Sequence, residues 1–205
     1  MQPNWKEAEE HLSRCDPVLG ALIEALGPCS LKPIGPPFDV LCRAIIGQQI
    51  SLRAAQSLYR KLLFLIGGSA LEPESILRSP ESMLRQAGLS RNKIQTLRCA
   101  AQAVCSGRLS LEALASAPME TVFHHLTALP GVGRWTAEMV LIFAYLHPRI
   151  LPVQDLGLKR AVQIQYGLAE RPSEKMLHAL ARPWAPYETI ATWYLWKSVD
   201  GDPSL

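Results

Sequence analysis

Residues 129–137 read Leu129-Pro130-Gly131-Val132-Gly133-Arg134-Trp135-Thr136-Ala137, with two glycines around one valine. Proline cannot continue a helix that precedes it, and the glycines allow backbone conformations that a side chain would penalise. An almost entirely apolar run follows over 134–145, which is typical of a buried helix. The stretch predicts two helices, over about 118–128 and 134–145, joined by a tight turn that Val132 holds against the core.

The same turn has the properties of an anion site. Its backbone N–H groups precede a helix, where the positive end of the helix dipole favours negative charge. A phosphate group fits this description, so Gly131, Gly133, Arg134 and Thr136 are predicted phosphate contacts. The alternative interpretation is an ordinary turn between two helices that binds nothing.

Helical periodicity extends outward from this turn over nearly the whole chain, and no alternating pattern of useful length indicates a strand. The predicted fold class is therefore all-α. Asp16, Ser51 and Asp155 are predicted to cap helices, and prolines and glycines separate the elements. The remaining helices are expected at about 5–14, 18–26, 38–46, 52–66, 73–77, 80–87, 91–106, 155–166 and, interrupted by prolines, up to 199.

Composition narrows the class of protein. The chain has 205 residues, of which 48% are hydrophobic and 19% charged, as in folded domains. No apolar run approaches the roughly 20 residues of a membrane span, and the first residues lack the apolar core of a signal peptide. The protein is expected inside the cell, in the cytoplasm or nucleoid of a bacterium. The net charge of +3 is compatible with nucleic acid without requiring it.

The cysteines do not form a recognisable framework. There are five, an odd number, and none forms a Cys-x-x-Cys pair. This pattern argues against disulfides and against a thiolate-bound zinc or iron–sulfur site. We expect reduced cysteines that pack as small apolar residues.

Several motifs occur with the hairpin in a fixed order, and together they resemble the helix–hairpin–helix (HhH-GPD) DNA glycosylase superfamily, in particular its 3-methyladenine DNA glycosylase II branch. The resemblance extends from about Asp16 to Trp196. The motifs are FDVLCRAIIGQQIS at 38–51, GLSRNK at 88–93, the hairpin, LPVQD at 151–155 and WAPYETIATWYLW at 184–196.

The resemblance implies a two-lobed helical fold with the active-site cleft between the lobes. The central lobe would span about 38–145 and include the helix–hairpin–helix at 118–145. The second lobe would combine 1–37 with 155–200, the whole forming one glycosylase unit over 1–205. Some members carry an extra N-terminal β-rich domain, which this chain is too short to include.

Asp155 is the predicted catalytic residue. By itself it is a good helix cap, and a carboxylate in that position is kept ionised. The resemblance implies that it acts in hydrolysis of the bond between base and deoxyribose, whose oxocarbenium-like transition state a carboxylate stabilises. Purines alkylated at N3 or N7, such as 3-methyladenine and 7-methylguanine, are already cationic and leave without protonation. The predicted partner is double-stranded DNA that contains alkylated bases, and the product is an abasic site.

Trp135 occupies the position where strand-cutting members carry a lysine nucleophile. An indole cannot form a Schiff base, so the predicted enzyme is monofunctional, without lyase activity. The lack of a four-cysteine cluster also separates the chain from the iron–sulfur members, and no cofactor is expected to be required. The resemblance implies that backbone carbonyls of Thr127, Leu129 and Val132 could hold a monovalent cation, sodium or potassium.

The resemblance also assigns residues to the extruded nucleotide, which must leave the base stack to react. Trp135 and Trp196 align with aromatic residues of the base pocket, and Met139 stands where some relatives have tyrosine. Gln49 matches the wedge that fills the emptied stack, although Gln48 could take that part, or both could cap neighbouring helix ends.

Other assignments stay open at the level of sequence. Trp193 and Tyr194 either touch the base or pack in the core, and Arg91 and Lys93 either form a second phosphate patch or are solvated. Glu188 stands where relatives often have arginine. Two alternative functions remain, a non-catalytic helix–hairpin–helix module that binds DNA and a helical protein-interaction domain. A monomer is expected, because an enzyme that acts on one lesion needs no second subunit.

Overall fold

The computed structural model describes residues 5–201, and of Asp200 only the backbone. These residues form α-helices and one 3₁₀ turn, Arg182–Trp184, and none of them lies in a strand, which confirms the all-α prediction. The helices are α1 Lys6–Cys15, α2 Pro17–Leu26, α3 Pro37–Gly47, α4 Leu52–Ile66, α5 Pro73–Arg78, α6 Glu81–Gln86, α7 Arg91–Cys105, α8 Leu111–Leu114, α9 Met119–Thr127, α10 Arg134–Phe143, α11 Leu156–Gln165, α12 Glu174–Leu180 and α13 Glu188–Asp200.

Side-chain caps set several helix starts. As predicted, Asp16, Ser51 and Asp155 occupy N-cap positions, and each accepts a hydrogen bond from a backbone N–H of the following turn. Such a cap stabilises a helix by roughly 1 kcal/mol. The sequence pattern missed α8, because a helix of four residues is too short to show a period.

The chain divides into two compact units. The hairpin unit is Pro33–Tyr145, and the terminal unit consists of the described residues up to Lys32 together with those from Leu146 onward. The N–H of Ile34 donates to the carbonyl of Phe143 at 3.1 Å, which joins the proline-rich loop to α10 within the hairpin unit.

The hairpin unit is built around α10, in which every residue from Thr136 to Phe143 is buried. α10 packs against α3 and α9. A buried polar cluster joins α3 to α4, because Asp39 accepts hydrogen bonds from the Tyr59 hydroxyl at 2.7 Å and the Leu71 N–H at 2.8 Å. The same carboxylate pairs with Arg43 at 2.8 Å, which compensates its charge in the core.

The terminal unit is organised by α13, which packs against α2 and α11. Asp16 is buried at the start of α2, where it accepts hydrogen bonds from the Tyr166 hydroxyl at 2.6 Å and the Trp184 Nε1–H at 2.8 Å. These bonds tie residues far apart in sequence into one core. The packing of α11 on α13 places Asp155 beside Trp196. Over residues 5–201, no helix is both long and apolar enough to cross a membrane.

Candidate functional site

The two glycines of the hairpin are required for different reasons. Gly131 has φ +82°, and a side chain there would collide with the Thr96 hydroxyl. Gly133 has φ −95° and ψ 179°, which any residue adopts, and nothing lies within 4 Å of where its Cβ would stand. Gly131 is therefore needed inside the protein, whereas at Gly133 the missing side chain only keeps the outer surface open. Val132 is buried between them, as predicted.

Arg134 is held in a defined direction at the start of α10. Its Nε donates to Glu138 at 2.9 Å, and its guanidinium lies 4.6 Å from the centre of the Phe123 ring. Glu138 is buried, whereas the Arg134 side chain is 62% exposed. The pair therefore fixes the stem of the arginine and leaves the charge at the surface, where an anion can reach it.

Among the predicted phosphate contacts, Thr136 is the one whose side chain is buried. Its side chain is 1% exposed, and its hydroxyl accepts a hydrogen bond from Gln48 at 2.9 Å. The hydroxyl is thus used within the protein. A phosphate contact at this position would have to come from the backbone N–H, which lies in the first turn of α10 where no side chain caps the helix.

The wedge loop, which we define as residues 47–51, adjoins the hairpin. The Gln48 side-chain amide donates to the Gly131 carbonyl and to Thr136, both at 2.9 Å. Gln49 is exposed and has φ +58°, a conformation that costs a non-glycine residue about 1 kcal/mol. Of the two glutamines, Gln48 thus fastens the loop to the hairpin, and Gln49 is the one presented at the surface. Trp135 lies against Gly47 of the same loop.

Lys93 of α7 is bonded to the residue that precedes the wedge loop. Its Nζ donates at 2.6 Å to the carbonyl of Ile46, at the end of α3 just before the wedge loop. Burial lowers the pKa of the lysine. Lys93 therefore anchors the wedge loop to α7. Of the two residues in the predicted second phosphate patch, Arg91 is exposed and Lys93 is half-buried.

The predicted cation ligands are Thr127, the last residue of α9, and Leu129 and Val132 in the turn that follows it. Among the described residues, the backbone carbonyls of Thr127 and Val132 accept no hydrogen bond, while that of Leu129 accepts one from the Val132 N–H at 3.1 Å. Carbonyls left over at a helix end are suitable oxygen ligands for a cation. A cation on these carbonyls stays a prediction.

In the terminal unit, Asp155 and Trp196 are directly bonded. Asp155 Oδ1 accepts a hydrogen bond from the Leu158 N–H at 2.6 Å and from Trp196 Nε1–H at 2.9 Å. Trp196 is 8% exposed, and Asp155 is half-buried. Gly157 makes the contact possible, because a Cβ there would stand 3.0 Å from Asp155 Oδ1 and 3.4 Å from the indole nitrogen. The carboxylate is oriented by two donors.

The sequence did not reveal this hydrogen bond or the one from Gln48. A bond between residues 41 positions apart leaves no local pattern. Gly157 is the one signal that was present, since a glycine inside the first turn of a helix weakens the helix unless close packing requires it.

The other aromatic candidates are core residues. Trp193 and Tyr194 are buried and meet edge to face at 4.9 Å. The Tyr194 hydroxyl donates to Glu9 at 2.9 Å. Of the two interpretations left open by the sequence, packing in the core is the one that these contacts support. Met139 is also buried, at 2% exposure, within α10.

Glu188 begins α13 with one carboxylate oxygen, Oε2, buried and without a hydrogen-bond partner in the part of the chain that the structure describes. Burial lowers the pKa of His147, and the nearby Glu188 acts in the opposite direction.

Charge is unevenly divided between the two units. The sequence of the hairpin unit, residues 33–145, contains eleven Lys and Arg against seven Asp and Glu, and two of those seven, Asp39 and Glu138, are buried in ion pairs. The remaining residues contain ten Lys and Arg against eleven Asp and Glu. The excess positive charge of the protein therefore resides in the unit that contains the hairpin and the wedge loop.

Comparison with known proteins agrees with the motifs. Residues 42–186 match the family described as "HhH-GPD superfamily base excision DNA repair protein". The alkylbase DNA glycosidase-like protein mag2 of Schizosaccharomyces pombe is 31% identical over 199 residues, which are 95% of this chain and 93% of that protein.

Two solved structures show the same architecture. The 3-methyladenine DNA glycosylase Mag1 of S. pombe, in complex with abasic DNA, has a TM-score of 0.87 at 29% identity, covering 97% of this chain and 100% of that chain. A DNA-3-methyladenine glycosidase from Bacillus halodurans has a TM-score of 0.77 at 37% identity, covering 98% of this chain and 92% of that chain.

Proposed function

Because the chain belongs to the HhH-GPD superfamily of base excision DNA repair proteins, we propose that it is a DNA glycosylase that hydrolyses the N-glycosidic bond of alkylated purines and leaves an abasic site. The observation that carries the proposal is the Asp155 carboxylate, which Trp196 and the Leu158 N–H orient at the start of α11. A module that only bound DNA would not need such a carboxylate.

Asp155 acts on the sugar of the extruded nucleotide. As the bond between C1′ and the base nitrogen breaks, its electron pair goes to the base, and positive charge develops on the sugar. The carboxylate stabilises that charge and accepts a proton from the water whose oxygen bonds to C1′. A base alkylated at N3 or N7 already carries positive charge, so it departs as a neutral base without a general acid.

Trp196 serves this step through its hydrogen bond to Asp155. A hydrogen bond to a charged group contributes about 1.5–3 kcal/mol, enough to hold one carboxylate orientation in preference to others. Trp135 is half-buried beside the wedge loop, where its indole can stack on a cationic purine. With an indole in the nucleophile position, no Schiff base forms and the DNA strand is not cut.

The hairpin unit binds duplex DNA. The open surface at Gly133, the amides at the start of α10 and the exposed charge of Arg134 bind the phosphate backbone. Gln49 enters the emptied base stack. A monovalent cation on the carbonyls of Thr127, Leu129 and Val132 would add positive charge to the same phosphate site, and no other cofactor is needed.

The protein works inside the cell as a monomer. Its partner is double-stranded DNA that contains alkylated bases. Because the enzyme acts on one lesion at a time, the reaction needs no second subunit.

Release of free bases from methylated duplex DNA tests the proposal. We expect the wild-type protein to release methylated purines and Asp155→Asn to release them at least about 100-fold more slowly, the scale of losing one electrostatic contact in the transition state. Asparagine keeps an oxygen that can accept from Trp196 and Leu158, so the fold should survive. Glu174→Gln, at the exposed start of α12, is a matched control that should retain activity.

The outcomes separate the alternatives. A wild-type protein that binds the duplex but releases no base would be a non-catalytic DNA-binding module. Equal rates for wild type and Asp155→Asn would remove Asp155 from the mechanism. A DNA adduct trapped by borohydride would contradict the assignment as a monofunctional enzyme.

A further inference from the structure

The outward face of α4 combines exposed positive charges on one side of the helix. At about 100° per residue, Arg53, Ser57, Arg60, Lys61 and Phe64 fall within an arc of about 100°. All five are exposed, and Phe64 is 84% exposed. The opposite side of the helix carries the buried residues Ala55, Tyr59 and Leu62.

The charges on this face have no compensation from the surrounding sequence. No Asp or Glu occurs between Val40 and Leu71. Among the described residues, the side chains of Arg53, Arg60 and Lys61 make no hydrogen bond or ion pair, whereas Arg43 of α3 and Arg134 of α10 are paired with Asp39 and Glu138. The face therefore presents three cations to solvent.

The position of the helix connects these cations to the wedge loop. α4 begins at Leu52, directly after that loop, and Arg53 follows Gln49 by four residues. At about 1.5 Å per residue, Lys61 lies roughly 14 Å along the helix axis from Leu52, and the non-helical residues between Gln49 and Leu52 add a few ångströms. A base pair of B-DNA rises about 3.4 Å, so this length corresponds to about five base pairs.

We propose that the α4 cationic face, which we define as Arg53, Arg60 and Lys61, binds phosphates of the duplex that flanks the lesion. This inference rests on the proposed function, since it takes Gln49 to lie at the gap left by the extruded base. The duplex continues beyond that gap, and the face extends the footprint of the enzyme along it by about five base pairs. These contacts position the enzyme and carry no sequence preference.

An acidic protein is the other partner that three cations could attract. The core of a protein interface is built from clustered apolar and aromatic side chains. On this face Phe64 is the only large apolar side chain, and it stands at the end of the helix. Phosphate binding needs only the cations, so nucleic acid is the partner that the composition of the face favours.

Duplex length is the variable that tests the inference. The protein Arg60→Gln/Lys61→Gln is compared with wild type for binding to duplexes of about 25 and about 9 base pairs, each with a central abasic-site analogue. The short duplex ends about four base pairs from the lesion, before it reaches these residues. Arg171→Gln/Lys175→Gln, which removes two exposed cations from the terminal unit, is the matched control.

We expect the α4 variant to bind the long duplex about tenfold less tightly at low salt and the short duplex within about twofold of wild type. The slope of log K against log salt on the long duplex should fall by about 1.8, the effect of two lost phosphate contacts. The control should match wild type on both duplexes. A variant that binds the long duplex like wild type, or loses affinity equally for both lengths, would overturn the inference and leave the face to an acidic protein.

The proposed function is tested separately on the same duplexes, with an alkylated purine at the central position. If wild type releases no base while the length dependence holds, the proposed enzymatic function fails and the α4 cationic face stands. If base is released and the length dependence is absent, the enzyme stands and the proposed face fails.

Discussion

Gly131 and Gly133 illustrate how one residue type serves two purposes within three positions. The positive φ of Gly131 and its contact with Thr96 are requirements of the fold. Neither applies to Gly133, which has ordinary extended backbone and open space around its missing Cβ. A glycine without an internal reason, at the start of a helix in a positively charged unit, is consistent with close approach of an external group.

The two glycines should therefore respond differently to alanine. Gly133→Ala should lower the free energy of unfolding by no more than about 1 kcal/mol, the loss of a good N-cap residue, yet weaken DNA binding at least about tenfold. Gly131→Ala should cost more than about 2 kcal/mol, from left-handed backbone and the clash with Thr96. Thermal unfolding and DNA titration of both variants measure these effects. If Gly133→Ala binds DNA normally, the backbone of DNA does not approach this position.

Gly157 offers a test of the Asp155 orientation that removes no functional group from the site. An added methyl group would stand 3.0 Å from Asp155 Oδ1 and displace it from the Trp196 indole. We expect Gly157→Ala to lower kcat for base release about tenfold or more, with little change in DNA affinity, because alanine is favourable inside a helix and only the carboxylate moves. Ala179→Gly, at an exposed site in α12, is the control that shows the effect of a change in stability alone. Gly167→Ala is not used, because Gly167 has positive φ and alanine would be strained there. An unchanged kcat for Gly157→Ala would show that this orientation is unimportant.

At the scale of elements, the wedge loop is fastened at two points and free at a third. Lys93 bonds to the carbonyl of Ile46 before the loop, and Gln48 bonds to the hairpin within it. Gln49 remains exposed in left-handed backbone. The loop thus presents one side chain from a fixed frame, which limits the conformational entropy lost when DNA binds.

Substitution of the two glutamines should separate these parts. Gln49→Gly relieves the left-handed backbone, so we expect a gain of up to about 1 kcal/mol in stability together with slower base release from duplex DNA. Gln48→Ala removes two hydrogen bonds and should reduce stability by about 1–3 kcal/mol as well as activity. Unfolding in urea and fluorescence of a base analogue beside the lesion report the two effects. A Gln49→Gly protein that extrudes the base like wild type would assign the wedge to another residue.

At the scale of the whole molecule, the two units contribute different properties. The hairpin unit carries the excess of positive charge, and the terminal unit carries Asp155. Each has its own buried carboxylate bonded to a tyrosine hydroxyl, Asp39 to Tyr59 and Asp16 to Tyr166. These buried clusters hold helices that are distant in sequence, and they make the stability of the molecule sensitive to alkaline pH.

Burial raises the pKa of Tyr166, and the hydrogen bond to Asp16 acts in the same direction. The unfolded chain loses the tyrosine proton near pH 10, whereas the folded chain keeps it to higher pH. The stabilising contribution is therefore complete below about pH 10 and is lost as the pH rises above that value, by up to about 1.4 kcal/mol per pH unit.

Tyr166→Phe should accordingly lower the Tm at pH 8. Between about pH 9.5 and about pH 11, the Tm of this variant should decline less steeply than the Tm of wild type. Thermal unfolding followed by circular dichroism measures both. Tyr187→Phe, at a ring that meets His11 edge to face, is the control for removal of a tyrosine hydroxyl elsewhere in the terminal unit. Parallel wild-type and Tyr166→Phe curves would show that the Tyr166 proton does not contribute.

Much of the fold could be predicted from sequence because its determinants are local. Hydrophobic periodicity identified most helices, and Asp16, Ser51 and Asp155 were recognised as caps from their own residue type. The family followed from separated motifs in a fixed order, and the match over residues 42–186 confirmed it. The helix that was not predicted is α8, because its four residues are too few to show a hydrophobic period.

The sequence by itself determined the all-α class, the glycine turn with Val132 as its buried residue, and the superfamily, because each depends on residue type, spacing along the chain or order of motifs. Only the tertiary structure decided that Trp196 bonds to Asp155, that Gln48 faces the hairpin while Gln49 faces outward, and that the Thr136 hydroxyl is buried. The physical reason is that these contacts join residues 41 to 88 positions apart. Their geometry arises from how helices pack, and helix packing is set by many side chains at once.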